Sequence, residues 1–413
     1  MQSEPRLSSA ISEKDTWPEM HKAKLDVFIG RLLLAGLFVF VAALPFSIAL
    51  CQIGLGLAYI AWIGQMLRRR RFGVSPTPLD YFFLAYLVVE IISLIFSQDR
   101  WTSLIYFRRM LLIPIVYLVA QHIVSERHAK ILVATLIGVM MLVGLWGIQK
   151  YLAGVGGLLG RLSLRQHYMT SGGLVMMVAT FCVAYALSSA PRSFRWLAWL
   201  AAIPLVAALV FTFTRSAWLG FLGSLVTIGI IVNRKLIIAI LLAVAVLLAV
   251  GPSSLRNRAL SIVDPTHPLN IERIYMWQTG IAIVKAYPWT GVGDINLSEI
   301  YRQYKPPEAK EVAGHLHNNF LTLGATLGIP GLLVTIALFV KIFIMEIGIV
   351  QSTARESWFI KSTALASLAG FIGFQINGFF EWNFGDAEIA MLLWFTVGLA
   401  LAMDRLAKAT SSV

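Results

Sequence analysis

The sequence predicts an all-α integral membrane protein. Of its 413 residues, 58% are hydrophobic and only 13% are charged, whereas about 25% of the residues in a soluble domain are charged. The apolar stretches are each about 20 residues long, the length that an α-helix needs to cross the hydrocarbon core. They are continuous and do not alternate with a period of two, which excludes an outer-membrane β-barrel. We therefore expect a bundle of transmembrane helices.

About twelve apolar segments follow one another along the chain, and a polar loop separates the ninth from the tenth. Their predicted bounds are 29–50, 52–67, 79–97, 104–121, 130–151, 168–189, 195–213, 216–232, 235–251, 318–345, 358–380 and 387–404. The predicted organisation is a cytoplasmic N-terminal tail (1–28), transmembrane helices 1–9 (29–251), a large periplasmic loop with short amphipathic helices (252–317), transmembrane helices 10–12 (318–404) and a cytoplasmic tail (405–413).

An even number of spans puts both termini on the same side of the membrane. When the termini are placed in the cytoplasm, every predicted inner loop carries Lys or Arg, as the positive-inside rule requires. The same rule accounts for much of the net charge of +13, so membrane lipids are expected partners and nucleic acid is not. Cys51 and Cys182 lie far apart within apolar spans, so neither a disulfide nor a zinc site is expected.

Arginine on the outer side opposes this rule, so the outer arginines are candidates for a function. The planar guanidinium binds phosphate through two parallel hydrogen bonds, and a cluster at membrane level indicates a phosphate-bearing lipid as the ligand. The structural alternative is that single arginines snorkel, or pair with Asp99, Asp264 or Glu272. The predicted outer arginines are Arg100, Arg108, Arg109, Arg161, Arg165, Arg215, Arg256, Arg258, Arg273 and Arg302.

Two of these arginines stand in distinctive surroundings. Arg215 lies at the junction of two apolar runs, where a charge is costly unless it has a function; the alternative is an interfacial anchor beside Trp218. Arg273 is predicted on an amphipathic helix that lies on the membrane, on the same face as Met276. The turn at residues 288–293 contains Gly-Val-Gly, but no strand precedes it and no Lys-Ser/Thr follows it, so we reject nucleotide binding.

His315 and His317 stand at the exit of the polar loop. On a helix, side chains two positions apart point about 200° apart, and no carboxylate is placed as a third ligand, so no metal site is expected. A neutral histidine at the outer interface suits general-base chemistry; the structural alternative is a histidine at a helix entry that Asn318 caps. Carboxylates of the last outer loop either orient a histidine or an arginine, or only solvate a turn. They are Glu381, Asp386 and Glu388.

His317-Asn318, followed after nine residues by Gly-Ile-Pro-Gly at 328–331, resembles the signature of the bacterial O-antigen ligases. The Thr-Arg-Ser-Ala-Trp-Leu-Gly junction at Arg215 and the turn at 288–293 are similar to the wider superfamily of ligases and polymerases. The resemblance covers roughly residues 200–390 by motif and the whole chain by length and span count. It implies a membrane glycosyltransferase of the GT-C type that needs neither a metal nor another cofactor.

Such an enzyme would transfer a polysaccharide from undecaprenyl diphosphate to lipid A-core oligosaccharide in lipopolysaccharide biosynthesis, at the periplasmic face of the bacterial inner membrane. The resemblance implies that His317 is the general base, with His315 as a second candidate, and that Arg215 is catalytic. Single displacement without a carboxylate pair would invert the anomeric carbon. The arginines expected to bind the substrate are Arg161, Arg165, Arg273, Arg258, Arg302, Arg108 and Arg109.

Three other functions remain open. An O-antigen polymerase would use the same donor and extend the lipid-linked glycan, although chain length and the single large loop favour a ligase. A protein O-oligosaccharyltransferase usually has a longer C-terminal region. A transporter or flippase is expected to contain internal repeats and charges near the midplane. Here the halves show no repeat, and the predicted span interiors contain few charges, mainly Glu90 and Lys341.

Overall fold

The chain is an all-α membrane protein, described by a computed structural model over residues 13–70, 73–155 and 160–411. Those residues contain no strand. The first eight helices are α1 (Glu13–Ala43), α2 (Ile48–Arg69), α3 (Asp80–Ile95), α4 (Arg100–Phe107), α5 (Pro114–His122), α6 (Glu126–Leu152), α7 (Tyr168–Ala186) and α8 (Arg192–Phe211). The next eight are α9 (Arg215–Val232), α10 (Lys235–Val250), α11 (Ser253–Leu260), α12 (Pro268–Ala286), α13 (Ser298–Tyr304), α14 (Asn319–Ser352), α15 (Trp358–Gly378) and α16 (Ala387–Ser411).

Every segment predicted to span the membrane overlaps a helix or joined helices, but the count of twelve is not confirmed. Within the described ranges, 10 segments are long and apolar enough to cross a membrane, or up to 11 if α10 and α11, bent by 118°, form one span. α3 and α10 have 16 residues each. At about 1.5 Å per residue they are shorter than the hydrocarbon core of about 30 Å, so these two helices account for the difference between the predicted count and the count by helix length.

The first hairpin differs from the prediction in its bounds. The turn between α1 and α2 lies at residues 44–47, and not at residue 51. Pro45 disfavours continuation of α1, and the Oγ of Ser47 accepts a hydrogen bond from the N–H of Leu50 at 3.3 Å, which caps α2. Of the predicted N-terminal tail, residues 13–28 belong to α1 and residues 1–12 lie outside the described part of the chain.

α7 forms the centre of the bundle, since almost all of its residues are buried and it packs against α8, α9 and α15. α15 and α16 are also mostly buried, whereas α10 has no buried residue. The starts of α7, α9, α14 and α16 all contribute residues to one large cavity. The core therefore brings four helix ends together at the candidate site.

A break at Gly328 divides α14 and explains the Gly-x-x-Gly motif. Gly328 has φ 72° and ψ −178°, a conformation that is essentially restricted to glycine. The turn at residues 288–293 packs against the break: the N–H of Val292 donates to the carbonyl of Ala325 at 3.0 Å, and the N–H of Ile329 donates to the first carbonyl of the turn at 2.7 Å. The two glycine motifs of the sequence therefore form one structural unit.

Replacing Gly328 with Ala is expected to destabilise this unit. A Cβ at this position would lie 2.7 Å from the backbone carbonyl of Trp289, in addition to backbone strain of about 1–3 kcal/mol. Thermal unfolding of the purified protein should therefore begin several degrees lower. Gly348→Ala is the matched control, because Gly348 lies in the same helix with nothing within 4 Å of the added methyl group. Equal unfolding midpoints for the two variants would contradict the prediction.

Candidate functional site

The two histidines lie together in the loop before α14. Leu316, between them, is fully buried, and His317 has φ 44°, which is rare for a residue other than glycine. This backbone places the two imidazole centroids 4.4 Å apart, and both rings line the same cavity. The argument that the two side chains would point apart is wrong, because it assumed a helical backbone.

His315 is held as a neutral hydrogen-bond acceptor. Its Nδ1 lies 3.4 Å from the backbone N–H of His317, which donates to it. Burial, together with the neighbouring charge of His317, lowers the pKa of His315 to about 4, so this ring is neutral at neutral pH. Its contacts indicate that His315 helps to position His317.

His317 forms a hydrogen bond with a buried carboxylate, since its Nδ1 lies 2.9 Å from Oε1 of Glu381. Burial would raise the pKa of Glu381, but the charge and hydrogen bond of His317 outweigh it and lower that pKa to about 2. An ionised carboxylate only accepts hydrogen bonds, so Nδ1 of His317 carries a proton. In the neutral ring, Nε2 is then the free base, an arrangement shared with enzymes in which a carboxylate orients a histidine.

Two asparagines hold the loop of Glu381 against the start of α14. The side chain of Asn318 accepts from a backbone N–H in the first turn of α14 at 3.0 Å, and its amide donates to the carbonyl of Phe379 at 2.9 Å. Asn319 donates to the side chain of Asn383 at 2.6 Å. Asn318 therefore is the predicted helix cap, and the same side chain also anchors the loop that carries Glu381.

Replacing Glu381 with Gln should lower kcat by roughly 10²–10⁴-fold, because the neutral amide no longer fixes the tautomer of His317 or stabilises its imidazolium. KM should change little, since the oxygen of Glu381 that is hydrogen-bonded is engaged by His317. Steady-state kinetics of the purified protein measure both constants. Glu308→Gln is the control, because Glu308 is exposed in the polar loop. A wild-type kcat in the Glu381 variant would rule out this orienting role.

Arg215 is buried at the start of α9 and is oriented by neutral acceptors. Its guanidinium donates to the carbonyl of Ser261 at 2.6 Å, to the hydroxyl of Ser261 at 3.0 Å and to Oδ1 of Asn270 at 2.7 Å. Phe213 turns the chain before α9 with φ 50°, and its carbonyl accepts from Nε of Arg258 at 3.0 Å. Burial does not fit an interfacial anchor, and these contacts leave the positive charge of Arg215 uncompensated.

Four arginines form one positively charged wall of the cavity. Arg215 and Arg258 are joined there by Arg273 and by Arg161, whose guanidinium lies 4.5 Å from the ring centroid of Tyr168. Over the described ranges of the chain, none of the four forms an ion pair with a carboxylate. Four like charges around a cavity of about 700 Å³ repel one another unless an anion binds between them. We refer to these four residues as the arginine wall.

The carboxylates considered as partners for these arginines are engaged elsewhere. Asp99 accepts from backbone N–H groups at the start of α4, and Asp264 accepts from the backbone and hydroxyl of Thr266. Glu272 accepts from two backbone N–H groups of the polar loop at 3.3 Å. The alternative in which these acids neutralise the outer arginines is therefore wrong for the arginine wall.

The other predicted substrate-binding arginines differ in position. Arg109 lines the cavity, but it forms a two-pronged ion pair with Asp294 at 2.9 and 3.1 Å. Arg302 is exposed and pairs with Glu299. The predicted residues that do not line the cavity are Arg108, Arg165 and Arg302.

Three further residues of the cavity were missed from the sequence. Asp294, which pairs with Arg109, directly follows the glycine-rich turn. Its position next to that motif could have identified it as a candidate site residue. Trp382 follows Glu381, and its ring lies 6.0 Å from the guanidinium of Arg109. His167 caps α7 through its Nδ1. No sequence motif surrounds it, so the sequence alone could not have identified it as a residue of the cavity.

Residues 200–336 match the Wzy_C family model, described as O-antigen ligase. Over this segment the chain is similar to the O-antigen ligase family. The segment extends from α8 into α14 and contains His317 together with three arginines of the wall, whereas Arg161 and Glu381 lie outside it. Members of this family are membrane enzymes related to glycosyltransferases. No curated protein matches the chain.

One grouping in this candidate site differs from the expectation drawn from the sequence. Ligand atoms of His315, His317 and Glu381 lie within 4.8 Å of one another, close enough to surround a metal ion. The statement that no carboxylate is placed as a third ligand is therefore wrong, because the last loop folds back onto the histidines. Since Nδ1 of His317 already binds Glu381 at 2.9 Å, the cluster also forms a complete histidine–carboxylate pair by itself.

Proposed function

We propose that this chain is an O-antigen ligase that transfers a polysaccharide from undecaprenyl diphosphate to lipid A-core oligosaccharide. The observation that supports this proposal is a single cavity in which the unpaired arginine wall faces the pair of His317 and Glu381. The diphosphate of the donor would lie against the arginine wall, and the acceptor hydroxyl would lie at Nε2 of His317. We place the cavity at the periplasmic face of the inner membrane and both termini in the cytoplasm, following the positive-inside rule.

The proposed reaction is a single displacement with inversion on a GT-C-type fold. Nε2 of His317 takes the proton from the acceptor hydroxyl while the hydroxyl oxygen bonds to the anomeric carbon of the donor. The bond from that carbon to the diphosphate oxygen breaks, and undecaprenyl diphosphate leaves with the electron pair. Glu381 stabilises the imidazolium that forms, and the arginine wall stabilises the charge that develops on the leaving diphosphate.

A transfer assay with purified protein tests this function. The donor is a polyprenyl-diphosphate-linked glycan, and lipid A-core is supplied or withheld. A glycosylated lipid A-core product supports the ligase. Lengthening of the lipid-linked glycan, with lipid A-core left unmodified, would instead identify a polymerase. If neither product forms but the lipid-linked glycan crosses the bilayer of a proteoliposome, the chain is a flippase and the proposal is wrong.

Transfer should continue after divalent metals are removed. The arginine wall supplies the positive charge that a metal would otherwise give the diphosphate, and Glu381 already binds Nδ1 of His317. The rate after dialysis against EDTA should therefore equal the rate with added Mg²⁺ or Zn²⁺. A loss of activity that Zn²⁺ restores would instead assign the cluster of His315, His317 and Glu381 to a metal ion.

A further inference from the structure

A second large cavity, of about 720 Å³, lies between helix ends remote from the candidate active site. α16 starts beside the first cavity and continues to Arg405, which lines the second one. Eighteen residues of helix separate Ala387 from Arg405, a rise of about 27 Å, so the two cavities lie at opposite ends of the bundle. The second cavity is called the basic end cavity below.

We propose that the basic end cavity binds the phosphate headgroup of an anionic phospholipid. This inference does not depend on the proposed transferase function. Basic pockets between membrane helices are suited to anionic headgroups, and nothing in the transfer reaction uses this end of the bundle.

Arginines of three helices converge on the basic end cavity. Arg31 of α1, Arg69 of α2 and Arg405 of α16 line it, and its lining contains no Asp or Glu among the residues that the structure describes. Arg405 donates to two backbone carbonyls at 3.0 and 2.6 Å, which fixes its position. Arg31 and Arg69 are exposed and form no ion pair with any residue that the structure describes. Two guanidiniums are thus available for a phosphate.

The neighbouring Arg68 shows that an arginine at this end of the bundle can form an ion pair with a carboxylate. Its Nε lies 2.9 Å from a carboxylate oxygen of Asp26, and Arg68 does not line the cavity. Arg68 is therefore neutralised, whereas Arg31 and Arg69, which line the cavity, form no ion pair with the described residues.

Apolar residues complete the cavity and indicate a lipid rather than a free anion. The cavity is also lined by four apolar residues, Leu33, Leu34, Trp62 and Met66. A soluble phosphate ion would gain nothing from contact with apolar side chains, whereas the acyl chains of a lipid would. On the outer surface of α1, Phe28 is 61% exposed, as expected where a helix faces acyl chains. Charge and apolar surface thus occur side by side, as an amphiphile requires, and the volume is typical of a ligand pocket.

The competing explanation is the positive-inside rule, which places basic residues at this end without any ligand. That rule applies equally to Arg192, which is exposed at the start of α8 and does not line the basic end cavity. Arg192 therefore serves as a matched control, because its removal deletes one charge from the same end of the bundle and leaves the cavity intact.

The test compares wild type, the double variant Arg31→Gln/Arg69→Gln and the control Arg192→Gln, each purified in a neutral detergent. Each is titrated with phosphatidylglycerol, phosphatidylcholine or inorganic phosphate, and bound lipid is counted by native mass spectrometry. Wild type should bind phosphatidylglycerol in preference to phosphatidylcholine. Each guanidinium removed should weaken this binding roughly fivefold, and the double variant roughly thirtyfold, whereas Arg192→Gln should bind as wild type does.

Three results would overturn the proposal. Equal binding of phosphatidylglycerol by wild type and the double variant would show that the cavity arginines do not hold the headgroup. Inorganic phosphate that displaces the lipid at equal concentration would assign the cavity to a free anion. If the double variant does not fold, the wild-type protein still tests the proposal, because equal binding of phosphatidylglycerol and phosphatidylcholine by wild type would refute an anionic headgroup site.

Discussion

Replacing His317 with Ala should lower the rate of transfer by roughly 10²–10⁴-fold, the usual contribution of a general base. The reason is that His317 combines a hydrogen bond from Nδ1 to the buried Glu381 with a ring that is partly accessible from the cavity, its side chain being 20% exposed. His315 is more weakly placed for this role, because its Nδ1 accepts from the main chain. The assay is single-turnover transfer with saturating donor and acceptor.

His317→Asn separates chemistry from folding. The Asn amide retains a donor for Glu381 but has no counterpart of Nε2, so this variant should be as inactive as His317→Ala. It should nevertheless unfold at a higher temperature than His317→Ala, in which the buried carboxylate of Glu381 loses its partner. His315→Ala should retain more activity than either variant. If it is instead the most damaging substitution while His317→Asn remains active, His315 is the base.

Apolar composition predicts the positions of the helices well, because a segment of about 20 apolar residues has few alternatives in a membrane. It predicts their ends less well, since those depend on local groups such as Pro45 and the Ser47 cap. The break at Gly328 was visible only as a motif. Its cause is a contact with the turn at 288–293, tens of residues earlier, and such contacts cannot be read from local patterns.

Prediction of the candidate site from the sequence is limited in the same way, because its contacts join distant parts of the chain. The sequence pointed to His317 and Arg215 through a motif and a topological anomaly, but the pairing of His317 with Glu381 joins residues separated by 64 positions. The error over His315 and His317 arose from one backbone angle, φ 44° at His317, which no residue-type preference favours. Convergence of the outer arginines was an assumption, and it holds for the arginine wall but not for Arg302.

Replacing Arg215 with Ala is the second substitution expected to have a large effect, a fall in kcat/KM of roughly 10²–10³-fold. Arg215 is buried and already oriented by Ser261 and Asn270, so little reorganisation is needed when negative charge develops on the diphosphate. The variant should still fold, because Asn270 keeps its own hydrogen bonds to the carbonyls of Ser261 and Asp264. Arg215→Lys should recover only part of the loss, since an ammonium group cannot bind phosphate through two parallel hydrogen bonds.

Arg302→Ala is the control, because Arg302 is another of the predicted outer arginines but pairs with Glu299 and does not line the cavity. Its kinetics should equal those of wild type, and an equal loss in both variants would show that positive charge acts at long range and not through the arginine wall. The separate changes in kcat and KM show at which stage of the reaction Arg215 acts. A fall in kcat with an unchanged KM means that Arg215 acts on the leaving diphosphate in the transition state, whereas a rise in KM alone means that it only binds the donor.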